Sequence, residues 1–218
     1  LGRMFDCIQF RGFKTSNAMA LAEYSGVPVY NGLTDDFHPT QILADLMTVE
    51  ESKGRLEGVK LVYVGDGRNN VANSLMIGCS KMGTDITVAS PHSLLPSENI
   101  VTMSREFAEK SGSLVEITTD VKKAVKDADV IYTDVWASMG QEDKLAERVK
   151  LLKPYQVNST LMESTGKDNT VFMHCLPAVK GNEVTAEVVD GSRSEAWNQA
   201  ENRKHTIKAV MLATLGLE

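Results

Sequence analysis

Four polar runs directly follow strand-like segments of this sequence. Arg11 follows Phe5 to Phe10, Asp66-Gly67-Arg68-Asn69-Asn70 follows Leu61 to Val64, Asp134 and then Ser138-Met139-Gly140 follow Val130 to Thr133, and Cys175-Leu176-Pro177 follows Val171 to His174. Open α/β sheets bind ligands outside the carboxyl ends of their strands, so these four ends offer their groups to one crevice. A fifth run, Phe37-His38-Pro39-Thr40-Gln41, opens a helix, where unpaired backbone N–H groups and the positive end of the dipole make an anion site. His38 and Gln41, three residues apart, share a face. The positive helix end should lower the His38 pKa and keep its imidazole neutral, ready to donate one hydrogen bond to a substrate carbonyl. The plainer reading of His38-Pro39 is a helix start with a solvated ring.

The other runs have plain readings too. Gly65-Asp66-Gly67-Arg68-Asn69-Asn70 has the strand, turn, helix outline of a dinucleotide site, but GxGxxG is absent and Arg68-Asn69-Asn70 puts bulk where a pyrophosphate needs bare backbone. Asn69 reads as a helix cap. Asp134 could bind a substrate ammonium or cap the next segment. Cys175 could be a nucleophile or a small buried hydrophobe, and covalent catalysis is not expected of it. Strand alternation would point His174 and Cys175 to opposite faces and deny them an adjacent Cys–His pairing.

Strand-like segments also fall at Val27 to Tyr30, Ile86 to Ala89 and Leu114 to Ile117, with helical stretches at Ser16 to Tyr24, Val71 to Met82, Glu98 to Lys110 and Val121 to Asp127. Strands alternating with helices predict an α/β fold, parallel sheets with flanking helices. The helix Gln41 to Ser52, with Pro39 in its first turn and Lys53-Gly54-Arg55 after it, is the one plausible domain boundary. It divides the chain into 1–52, 53–195 and a C-terminal piece, 196–218, whose helix from about Ala200 to Leu215 carries Ile207, Val210, Met211 and Leu215 on one face.

The composition of the 218 residues is that of a soluble globular protein, and no apolar run approaches the ~20 residues of a membrane span. The net charge of −6 is spread along the chain, with no basic stripe to track nucleic acid. Cys7, Cys79 and Cys175 are far apart and form no CxxC, against both a disulfide framework and a zinc site, and in keeping with a reducing cytosol or organelle matrix. The sequon Asn158-Ser159-Thr160 lacks a signal peptide to give it meaning. The run from Leu1 straight toward a strand, with neither initiator Met nor leader, reads as a piece of something longer.

Taken in order, these blocks resemble the aspartate/ornithine carbamoyltransferase family over nearly the whole chain. His38-Pro39-Thr40-Gln41 is similar to the motif whose His and Gln contact carbamoyl phosphate, and Arg11 in Phe10-Arg11-Gly12 to the arginine that meets its oxygens. Asp134-Val135-Trp136-Ala137-Ser138-Met139-Gly140 and His174-Cys175-Leu176-Pro177-Ala178 resemble the loop and the HCLP motif of the ornithine branch. The resemblance implies that Asn70, Asp134, Ser138 and Met139 hold the amino-acid end of ornithine. It also implies that Cys175 and Leu176 border the reacting centre, and that Arg203 in Glu201-Asn202-Arg203 returns to the carbamoyl phosphate site. The family's Ser-Thr-Arg-Thr phosphate cradle has no equivalent in the 218 residues and is expected upstream of Leu1. The fold expected is therefore a partial carbamoyl phosphate domain plus a Rossmann-like ornithine domain.

The resemblance implies transfer of a carbamoyl group from carbamoyl phosphate to the side-chain amine of L-ornithine, giving L-citrulline and phosphate, with no metal or organic cofactor. It further implies a homotrimer in the cytoplasm, or the mitochondrial matrix of a eukaryote. An ammonium of pKa ~10 must lose its proton before attack, so the rate should rise with pH. The rivals are a carbamoyltransferase for another amine such as putrescine, which would not need the Ser138-Met139 loop, and a non-catalytic fragment without its phosphate cradle. A nucleotide-dependent oxidoreductase fails on the missing fingerprint.

Overall fold

A strand covered by helices on both faces must be apolar at nearly every residue, and most strands of this chain meet that demand. A computed structural model describes residues 1–137 and 145–217. β1 (Ile8–Arg11) and β2 (Val29–Leu33) pair in parallel as a small sheet. β3 (Lys60–Val64), β4 (Asp85–Ala89), β5 (Val115–Thr118), β6 (Val130–Thr133) and β7 (Val171–His174) form a parallel sheet in the order β5-β4-β3-β6-β7. The described helices are α1 (Thr15–Ser25), α2 (Pro39–Lys53), α3 (Asn70–Lys81), α4 (Glu98–Ser111), α5 (Val121–Val125), α6 (Leu145–Leu152), α7 (Ser159–Glu163), α8 (Ala186–Val189) and α9 (Ala196–Leu215).

Alternation along the strands sends side chains to two cores. Leu61 and Tyr63 of β3, Tyr132 of β6 and Met173 of β7 meet Leu75 and Met76 of α3 and Ile42, Leu46 and Val49 of α2 on one face. Val62, Val64, Ile131 and Phe172 meet Val125, Leu152, Met162 and Val189 on the other. The order reverses between β3 and β6, where the crossovers leave in opposite directions, the place at which sheets of this kind bind ligands beyond the carboxyl ends of their strands.

All seven expected strands form, β6 and β7 with the expected bounds and the other five with shifted ends. β1 begins at Ile8, where the backbone first bonds Pro28, because Met4 and Phe5 lie in an exposed turn on Leu1. α5 stops at Val125, since Asp127 takes a left-handed φ of 58° and donates its N–H to Thr165 O. α9 starts at Ala196 rather than Ala200, because Arg193 to Glu195 run along β7, with Phe172 N–H on Arg193 O and Glu195 N–H on Phe172 O. Its buried residues are Ala196, Gln199 and Asn202, while Ile207, Val210, Met211 and Leu215 are half-buried. α9 lies against α2, and Thr214 near its end shares a 2.5 Å hydrogen bond with Tyr30 of β2. α6, α7 and α8 went unread because helices of four to eight residues show too few turns for a period.

Candidate active site

Two clusters of polar side chains meet beside the switch point. The first is built on α2. His38 stands just before Pro39 at the helix start, and its backbone N–H donates to Ser74 Oγ of α3 at 2.8 Å. Gln41 follows one turn on, with Asp45 another turn beyond, so the three line one face. Arg203 of α9 reaches them: Nη1 donates to Gln41 Oε1 at 2.6 Å and lies 3.2 Å from His38 Nε2, while Nη2 is 3.4 Å from Thr40 Oγ1.

His38 is only 5% exposed, which rejects the solvated-ring reading. Its pKa is pushed down to about 3, first by burial and then by the guanidiniums of Arg203 and Arg11. The neutral imidazole expected from sequence is there, but burial and two arginines produce it rather than the helix end. A guanidinium can only donate, so Nε2 accepts and Nδ1 carries the proton. Nδ1 is buried and has no protein partner among the described residues. Arg11, the last residue of β1, is exposed, and its charge reaches both His38 and Arg203.

The second cluster gathers the ends of β3, β6 and β7. Asp134, 7% exposed, accepts from Asn69 Nδ2 at 2.8 Å, from the Val135 N–H at 2.8 Å and from Cys175 Sγ at 3.1 Å. The Asn69 Oδ1 accepts from Val71 N–H and caps α3, as its sequence position suggested, so one side chain starts the helix and steadies the carboxylate. Asn70 turns the other way and donates to Thr34 O at 2.7 Å. Asp66 is spent on the turn: it accepts from Arg68 N–H and pairs with Arg148 at 2.5 Å. Gly67 is required there, since a Cβ would sit 2.8 Å from both Leu94 O and Pro96 Cδ.

The β7 end corrects one expectation. Asp134, His174 and Cys175 each bring a carboxylate oxygen, ring nitrogen or sulfur within 4.8 Å of the others. Alternation fails because β7 ends at His174 and Leu176 takes a left-handed φ of 57°, which folds its N–H back onto His174 Nδ1 at 2.8 Å. The ring edge opposite faces Glu183, 3.3 Å from Nε2. Cys175 still gains no thiolate, because burial and the Asp134 carboxylate hold its pKa well above the ordinary thiol value. Ser138 and Met139 lie outside the described residues.

Asp45, Gln199 and Tyr132 went unnoticed in the sequence. Asp45 is fully buried and accepts from Gln41 Nε2 at 2.8 Å, Gln199 Nε2 at 2.6 Å and Tyr132 OH at 3.1 Å. The His38, Gln41, Asp45 spacing, a polar row along the buried side of α2, was the available signal.

Comparison with known proteins identifies relatives of this chain. Residues 1–51 match the family model for the carbamoyl-P binding domain of aspartate/ornithine carbamoyltransferase, and residues 57–214 match its Asp/Orn binding domain. The chain is 62% identical over 215 residues to the ornithine carbamoyltransferase of Thermotoga petrophila, covering 99% of this chain and 69% of that protein. It is 58% identical to the catabolic ornithine carbamoyltransferase of Bacillus licheniformis, with 99% and 70% covered. The solved ornithine carbamoyltransferase of Pyrococcus furiosus superimposes with a TM-score of 0.94 at 51% identity, covering 99% of this chain and 68% of that one.

Proposed function

The chain belongs to the aspartate/ornithine carbamoyltransferase family, and from that premise we propose how its residues carry a carbamoyl group from carbamoyl phosphate to the side-chain amine of L-ornithine. The observation that carries the reading is the Arg203 contact to His38, which leaves an Nδ1–H donor beside a cluster of cations. Attack by a neutral amine on the carbamoyl carbon puts charge on its oxygen, and a preformed donor at that point is worth most in the transition state. His38 Nδ1–H and Arg11 serve that oxygen. Gln41, Arg203 and the α2 N-terminus serve the phosphate as it leaves.

Asp134, Asn70, Ser138 and Met139 hold the amino-acid end of ornithine, with Asp134 as counter-ion to its α-ammonium. Cys175, as a thiol, and Leu176 wall the reacting centre. Residues 1–52 form the carbamoyl phosphate side and 53–195 the ornithine side, with 196–218 returning to the first. The protein works as a cytoplasmic homotrimer. The exposed Phe13, Met19 and Tyr24 on the β1–α1 unit support a covered surface there, and a monomer in sedimentation would remove that part of the reading. Among the described residues no helix is long and apolar enough to cross a membrane.

Citrulline formation from carbamoyl phosphate should appear with ornithine and not with putrescine. Equal turnover of the two amines would transfer the protein to the putrescine reading.

A further inference from the structure

The Asp45 carboxylate lies behind the carbamoyl phosphate cluster, and the mechanism above makes no use of it. It is completely buried, and an ionised carboxylate accepts hydrogen bonds but cannot donate. Gln41 points its NH2 at Oδ1 and therefore turns Oε1 to Arg203, at 2.6 Å. Gln199 points its NH2 at the same oxygen and at Tyr132 OH, and therefore turns Oε1 to the His174 N–H, at 2.9 Å. A reversed Gln41 would set donors against the Arg203 guanidinium, and a reversed Gln199 would set them against the His174 N–H.

We propose that Asp45 is a positioning residue for the transfer reaction: its carboxylate fixes which way both amides face and so holds Arg203 against His38 on one side and the Cys175 turn on the other. The inference rests on assigning His38, Gln41 and Arg203 to carbamoyl phosphate. A buried charge is rarely kept for stability, since a well-packed apolar replacement is often as stable. Here the charge performs an orienting task that an apolar residue cannot.

The ionised form is the one that orients. Burial pushes the Asp45 carboxyl up to about 7, while hydrogen bonds from Gln41, Gln199 and Tyr132 and the charge of Arg203 pull it back. Tyr132 faces it from β6, Gln199 and Arg203 from α9, Cys175 from the β7 end, Cys79 from α3, and Gln41 from its own helix. A proton on Oδ1, the oxygen both amides share, expels one of them, and a proton on Oδ2 turns the Tyr132 hydroxyl from donor to acceptor. kcat/KM should therefore fall on the acid side of neutrality.

The test compares full-length protein with its Asp45→Asn and Tyr132→Phe variants, measuring citrulline formation, KM for each substrate and melting temperature across the neutral range. Asp45→Asn should keep its fold, lose roughly tenfold to a hundredfold in kcat/KM, and keep only the acid slope that protonation of the ornithine amine imposes. Tyr132→Phe keeps the carboxylate but removes a donor that favours its charged form, so the limb should move to higher pH. That shift decides the matter if Asp45→Asn does not fold. An Asp45→Asn variant within about twofold of the unsubstituted kcat/KM, or an unmoved limb in Tyr132→Phe, overturns the proposal. Absence of citrulline from the unsubstituted protein overturns the functional reading, and this inference with it.

Discussion

Arg203 and His38 illustrate how little freedom a buried ring retains once a donor-only group occupies one nitrogen. In the proposed role the remaining Nδ1–H meets the developing oxyanion, so His38→Ala should lower kcat by roughly 10² while stability changes little. Unchanged kcat in a steady-state assay would return His38 to a helix-start role. Asp134 carries a sharper choice, because its three donors are all protein groups. Asp134→Asn should cost about tenfold to a hundredfold in kcat/KM for ornithine, on the order of 1.5 to 3 kcal/mol, with KM for carbamoyl phosphate unchanged. Normal ornithine kinetics beside a lowered melting temperature would make Asp134 purely structural. His38, Gln41, Asp134 and Cys175 could be picked out from sequence because each sits in a local run at a strand or helix end, whereas Arg203, inside α9, was named only by the family resemblance. Asp45, Gln199 and Tyr132 could not be joined from sequence, since their partners lie 67 to 154 residues away.

Between elements, the approach of α2 to α3 governs where the first cluster sits. A Cβ at Gly78 of α3 would lie 2.4 Å from Ile42 Cγ2, a branch methyl in a side chain only 4% exposed. Gly78→Ala gains up to ~1 kcal/mol in helix propensity, yet overpacking of this kind costs about 1 to 3 kcal/mol. The variant should therefore be less stable in urea titration and show a raised KM for carbamoyl phosphate, because α2 carries His38 and Gln41. Equal or greater stability would mean that the two helices have room to part. Period and composition disclosed every strand, since runs such as Leu61 to Val64 are apolar throughout. They missed α6 to α8, which are too short to show a period, and placed the start of α9 late, because that boundary depends on the backbone bonds of Phe172 to Arg193 and Glu195, which no local pattern records.

For the whole molecule, folding moves a proton between two residues of one helix. In the unfolded chain His38 has a pKa of 6.5 and Asp45 one of 3.8, so between about pH 4 and 6.5 the imidazole holds the proton. In the folded chain those values become about 3 and about 7, so the carboxyl holds it instead. The lowered His38 value contributes stability that is full above 6.5 and lost as pH falls toward 3. The raised Asp45 value contributes stability that is full below 3.8 and lost as pH rises through 7. Each state binds one proton on this pair across the shared window, and stability there gains no slope from either residue. Asp45→Asn breaks that balance, and only His38 then titrates differently in the two states. Its unfolding free energy should climb with pH between about 4 and 6.5 more steeply than that of the unsubstituted protein, by about 1.4 kcal/mol per pH unit. Parallel urea curves for the two proteins across that range would refute the exchange. Swapping the customary order of an imidazole and a carboxylate thus leaves this pair's share of the stability insensitive to mild acid, whatever acid does to catalysis.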